Sequence, residues 1–224
     1  MPTLDRDGDV FLLNLGDDEN RFNPEWVGAV GALLDEVAAA PSPRALVTTA
    51  TGKIWSNGLD LDWMGQNASE IPAFVPTVHA LFGKMLALPV PTVAAIQGHC
   101  FAAGAMLAVA HDFRVMRADR GFFCLPEVDI NIPFTPPMAA LIQARLSKAA
   151  AHEAMTTGRR YGGADAAAAG IVDDAVGEDA VLPRAIERAA ALAGKNGATL
   201  GAIKKGMYAE ALALLRDPTP IAFG

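Results

Sequence analysis

Apolar residues along this chain fall into two spacings, and their alternation predicts the elements. Residues 92–96, TVAAI, form an unbroken apolar run just before Gly98, the pattern of a strand buried on both faces. The next run, 102–110, is too long for a strand and rich in Ala and Gly. It reads as a helix packed close against its neighbours. Between the two the chain turns through Gly98-His99-Cys100-Phe101. The free amides of a helix start then point out beyond the carboxyl end of a strand. That arrangement suits an anion, or an oxygen that becomes anionic during a reaction.

The same spacings organise the flanks. Residues 9–15, DVFLLNL, predict a first strand. Asn23-Pro24 is a helix start, an N-cap followed by Pro, and Trp26, Val30, Leu33, Leu34 and Val37 lay one apolar stripe along that helix. Residues 44–50 give the next strand, so the order β-α-β favours a parallel sheet. A mostly helical segment interrupted by Pro72 and Pro76 runs to Leu88. After it come the central strand, a short strand over 112–116 and an apolar stretch over 122–125. A Pro-punctuated loop over 128–137 leads to helices over 138–146, 148–157, 164–169, 182–193 and 200–215. The reading is an α/β core over residues 1–175 and a helical region over 176–224.

Composition narrows the partners. The chain has 224 residues, is 52% hydrophobic and 19% charged, and carries a formal net charge of −7. That balance supports a sizeable core and argues against nucleic acid or an anionic membrane surface as a partner. Cys100 and Cys124 lie in apolar runs and read as buried free thiols. The opening residues MPTLDRDGDVFLLNL place acids where a signal peptide would be basic. A cytoplasmic location is expected.

The segment Thr51 to Leu61 contains Trp55-Ser56-Asn57-Gly58-Leu59-Asp60. Taken alone, Asn57-Gly58 is a tight turn and Asp60 a helix cap. Taken with the turn at Gly98, it aims a second set of amides beyond a strand end, where ligands sit in open α/β sheets. Glu127, after Pro126, is a loop glutamate with Asp129 and Asn131 as neighbours. His99 suits packing better than proton transfer. No metal cluster and no nucleotide fingerprint is evident.

These motifs together resemble the crotonase family, the enoyl-CoA hydratase/isomerase superfamily of acyl-CoA enzymes. The resemblance is carried by Trp55 to Leu61, by Gly98 to Ala108, and by Asp112-Phe113-Arg114, Pro126-Glu127 and residues 164–172 in the expected order. It is strongest to the Δ3-Δ2 enoyl-CoA isomerases, particularly the plant peroxisomal type. It implies a ClpP-like stack of β-β-α units with a helical C-terminal region supporting homotrimers or hexamers. It implies an acyl-CoA thioester as substrate and no cofactor beyond the coenzyme A that substrate carries. The family's oxyanion hole uses two backbone amides, here Leu59 and, by counting, Ala103, with Gly104 the neighbouring register. The family's hydratases use two glutamates. One position is Glu127 here; the other is Met106, a thioether.

A lone carboxylate suits moving a double bond from position 3 to position 2, in which one group takes a proton from C2 and returns it at C4. Glu127 is the expected acid–base, its pKa raised by apolar neighbours among Phe122, Phe123, Leu125, Ile130, Ile132 and Phe134. Trp55, Asn57, Gly58, Asp60, Gly104, Met106 and Phe134 are the expected substrate contacts. Lys53 or Lys204-Lys205 could meet the phosphates of coenzyme A. The alternatives are a hydratase or other reaction of this family, and a non-catalytic acyl-CoA-binding subunit.

Overall fold

The computed structural model describes residues 1–220. The last four residues of the expected C-terminal region, 221–224, lie outside the described residues. The chain opens with β1 (Thr3–Asp7) and β2 (Val10–Asn14), then β3 (Arg21–Phe22), α1 (Pro24–Ala39), β4 (Ala45–Thr49), β5 (Ile54–Ser56) and β6 (Gly58–Leu59). Next come α2 (Leu61–Gln66), α3 (Ile71–Leu86), β7 (Thr92–Ile96), β8 (His99–Phe101), α4 (Ala103–Ala110), β9 (Phe113–Arg117) and β10 (Phe123–Cys124). The remainder is α5 (Pro136–Arg145), α6 (Lys148–Thr157), α7 (Gly163–Ala168), β11 (Asp174–Val176), α8 (Val181–Ala190), α9 (Gly197–Met207) and α10 (Ala209–Leu215).

Three times the chain passes from a strand of one sheet to a strand of a second and on to a helix: β7–β8 and β9–β10, and β4–β5 with β6, paired to β3 in a two-stranded sheet, intervening before α2. This is the expected repeat of β-β-α units. The large sheet runs β1-β2-β4-β7-β9-β11 and the small one β10-β8-β5. Apart from the antiparallel β1–β2 hairpin, the ladders of both sheets are parallel.

Alternation along β7 explains why its sequence is apolar throughout. Ala94 and Ile96 face the cluster that includes α1, α3 and α4, whereas Val93 and Ala95 face Val181, Ala185 and Ala189 of α8. A strand with helices on both faces has no polar side to show.

Three elements differ from the sequence reading, each for a local reason. β1 was not foreseen because it is an edge strand of mostly exposed residues, without an apolar alternation to detect. Residues 99–101, read as turn, form β8; Cys100 is buried and pairs with Phe123, while His99 and Phe101 lie half-exposed. The single helix expected over 200–215 is two, breaking at Tyr208, whose hydroxyl is held by Arg145. Pro72 sits in the first turn of α3, and the helix continues past Pro76. Strand β11 crosses residues 175 and 176, and α8 lies directly on β7, β4 and β9.

Candidate active site

The site forms where β6 and the start of α4 meet. Ala102 precedes α4 at φ 50° and ψ −125°, a conformation costly for a residue with a Cβ. It gives α4 no side-chain cap, so the first amides of the helix are left without intrahelical acceptors. Gly58, at φ +80°, lies so close that a Cβ there would stand 2.8 Å from the Ala103 nitrogen. Only glycine fits both the torsion and the approach. On the strand side, the Asp60 amide donates to Phe22 O at 3.0 Å. Alternation along an extended chain directs the preceding amide, that of Leu59, the other way, towards α4. Leu59 and Ala103 both line one cleft of about 420 Å³.

Packing distinguishes Gly104 from Ala103. A Cβ on Gly104 would lie 2.6 Å from both Cβ and Oγ of Ser56, and Gly104 does not line the cleft. Gly104 lets α4 press onto β5; Ala103 is the residue at the cleft wall.

Glu127 lies on the same cleft wall and is only 6% exposed. Its Oε2 is buried without a hydrogen-bond partner. Burial pushes its pKa up to about 7, because no cation compensates the loss of water around the charge. Its loop is bonded onto itself: Asp129 and Ile130 donate their amides to Pro126 O, and Ile132 donates to Glu127 O. Asn131 takes φ 57° to close that turn. The remaining lining is largely apolar: Met106, Met138, Phe101, Ile130, Ile132 and Pro133. Met106 is 1% exposed, so a thioether fills the wall beside the carboxylate.

Several expected residues stand elsewhere. Trp55 is fully buried, edge-on to His111, filling the core beneath α4 instead of contacting a ligand. Asp60 accepts from the Trp63 amide at 3.0 Å as the cap of α2, and it faces a neighbouring cavity. Asn57 lines the cleft. Phe134 packs half-buried against the core, and Phe122 is exposed, stacked near His99. His99, Asp129 and Asn131 are outside the cleft lining.

The lysines expected to meet phosphates lie outside the cleft lining. Lys204 is buried and donates to Asp112, Leu88 O and Val90 O, a tether for α9. Lys53 and Lys205 are exposed and away from the cleft. The cation at the cleft mouth is Arg21, paired with Asp62 at 2.5 Å and with Glu19. Arg21 and Asp62 are 41 positions apart, and neither carries a motif that would have exposed it. Among the described residues no group of three or more His, Cys, Asp or Glu side chains could hold a metal ion, and no helix is long and apolar enough to cross a membrane.

Leu59 and Ala103 thus line an apolar cleft together with a buried acid, Glu127. Residues 7–218 match the family model described as enoyl-CoA hydratase/isomerase, and the chain belongs to that family. It is 38% identical to "Enoyl-CoA delta isomerase 2, peroxisomal" of Arabidopsis thaliana, covering 96% of this chain and 95% of that protein. A Mycobacterium tuberculosis structure titled as an enoyl-CoA isomerase superposes with a TM-score of 0.87 at 26% identity, covering 97% of this chain and 95% of that one. Human mitochondrial delta3-delta2-enoyl-CoA isomerase shares the fold, with a TM-score of 0.89 at 22% identity over 96% of this chain and 85% of that one.

Proposed function

We propose that this protein is an enoyl-CoA isomerase that converts a 3-enoyl-CoA into the 2-trans-enoyl-CoA. The carrying observation is the lone buried carboxyl of Glu127, raised to about 7, facing the cleft with Met106 where a second acid would be needed to hold a water. The thioester carbonyl accepts from the amides of Leu59 and Ala103. Glu127, ionised, takes a proton from C2. The electrons pass into the thioester carbonyl and form a dienolate, whose oxygen the two amides stabilise. The protonated acid then returns the proton at C4, and the double bond lies between C2 and C3. Removing one such donor typically raises the barrier by about 3 kcal/mol.

Coenzyme A enters as part of the substrate, and no other cofactor takes part in this scheme. The names of the relatives support this reading, as does an apolar cleft suited to an acyl chain. The reading extends to a homotrimer or hexamer, supported by the exposed Ile203 and Met207 on α9. It also extends to a reducing, cytoplasmic setting, supported by the free buried thiols Cys100 and Cys124, although the Arabidopsis relative is named peroxisomal.

The test is spectrophotometric, with 3-enoyl-CoA and 2-enoyl-CoA assayed separately. Formation of the conjugated thioester from the 3-enoyl substrate, without its later loss, is the expected result. Efficient hydration of 2-enoyl-CoA would make the protein a hydratase, and binding without turnover of either would make it an acyl-CoA-binding subunit.

A further inference from the structure

Among the described residues Glu127 receives no hydrogen bond from another side chain, and its Oε2 has no partner. Its position therefore depends on the backbone of its loop. That loop leaves the core at Leu125, which is fully buried, and closes on itself between Pro126 and Ile132. Beyond the turn, Pro133 and Pro136 have no amide to donate. The next anchor is Thr135, 5% exposed, the N-cap of α5. Its hydroxyl accepts from the Met138 amide and is hydrogen-bonded at 2.9 Å to Nε2 of His79.

His79 lies on α3, 56 positions away, and is fully buried. Burial holds its pKa down at about 4, so the ring is neutral. Its Nδ1 is buried without a partner. A buried imidazole that leaves one nitrogen unpaired needs a reason to be there, and its one hydrogen bond is to the foot of the acid's loop. Met138, one turn into α5 from that foot, lines the same cleft as Glu127.

We infer that His79 is a positioning residue: by fixing Thr135 it sets the path of the loop 126–135 and so aims the Glu127 carboxyl between C2 and C4 of the substrate. The inference rests on Glu127 being the acid–base, so its test includes a readout that needs no turnover. The variants are His79→Leu, which removes the bond, and His79→Gln, whose side-chain amide can reach the place of Nε2. Thr135→Val and Thr135→Ser form the same pair from the other side and serve if a His79 variant does not fold.

Small misplacements of a reacting group lower kcat more than KM. His79→Leu and Thr135→Val are expected to lose about tenfold in kcat with KM for 3-enoyl-CoA nearly unchanged, and the Gln and Ser variants to recover most of it. In parallel, carbon NMR of the Glu127 carboxyl is expected to show its titration moving down from about 7 in His79→Leu, as the loosened loop admits water. Leu and Val variants that lose only melting temperature, with kcat and the Glu127 titration as in the wild type, would overturn the inference. A wild-type protein without isomerase activity would instead overturn the functional reading, and the titration alone would then decide the role of His79.

Discussion

The two ends of α4 are built in opposite ways. At the N-terminal end, Ala102 offers no cap and Ala103 lines a cleft. At the C-terminal end the carbonyls of Leu107, Ala108 and Val109 each meet a hydrogen-bond donor. Arg145 donates to Val109 O at 3.1 Å, His111 O at 2.6 Å and Asp112 O at 2.9 Å. Arg114 donates to His111 O at 3.0 Å and to Ile171 O at 2.6 Å. His111 itself is buried and neutral, its pKa pushed down to about 3. Its Nδ1–H must donate to the carbonyl of Leu107, so Nε2 accepts from the Thr48 hydroxyl. One end of the helix is locked, and the other is left without a side-chain cap at the cleft wall. The difference separates what the fold spends on stability from what it reserves for chemistry.

That contrast is broken most severely by removing the acid that faces the open end. Glu127→Gln is expected to fold normally and lose roughly a thousandfold in kcat, within the range for a general base, as measured by steady-state turnover of 3-enoyl-CoA. Gly58→Ala comes next. Its methyl would press on the Ala103 nitrogen at an already left-handed φ, displacing one donor and lowering kcat by about a hundredfold or more, with KM changed less.

The third prediction concerns pH. Because the folded state holds the Glu127 proton up to about 7, against an ordinary value of 4.5, its burial costs nothing below pH 4.5. The cost grows as the unfolded chain ionises and is complete above pH 7, where it reaches roughly 3 kcal/mol. Glu127→Gln should therefore unfold at higher denaturant than the wild type at pH 8 and equally at pH 4.5. In the wild type, kcat/KM should fall as pH drops below 7, since the base is then protonated.

The smallest effect belongs to the locked end. Arg145→Met strips charge-assisted hydrogen bonds from three carbonyls and is expected to cost about 2 kcal/mol of stability by chemical denaturation. Turnover per folded molecule should stay near the wild-type value. A large loss of kcat there would show that the two ends are not separable.

The turns of the open end were legible in the sequence because they are local: Gly58 and the Ala-Gly helix start announce tight turns and free amides within a few residues, whereas Glu127 read alone is a loop glutamate and was singled out only by the resemblance to the crotonase family. The locked end was not legible. Arg114 and Arg145 come from different elements, and Lys204, which reads as a candidate phosphate contact, is buried where α9 folds back onto Asp112. Trp55, inside the most specific motif, reads as a ligand contact but serves the core, and Asp60 is the helix cap that its own position suggests, where the resemblance implied a ligand contact. A motif conserves the shape of a site through its supports as well as its contacts, and spacing alone does not separate the two. Arg21 and Met138 reach the cleft only through packing of distant segments, which no local pattern reports.

The central claim is that one carboxyl serves both carbons of the substrate. It is tested most directly by following the hydrogen itself: a 3-enoyl-CoA carrying deuterium at C2 is turned over in ordinary water, and the early product is analysed for label at C4. A single buried acid predicts that part of the deuterium arrives at C4. Product that carries only solvent hydrogen at C4 from the first turnovers would contradict it.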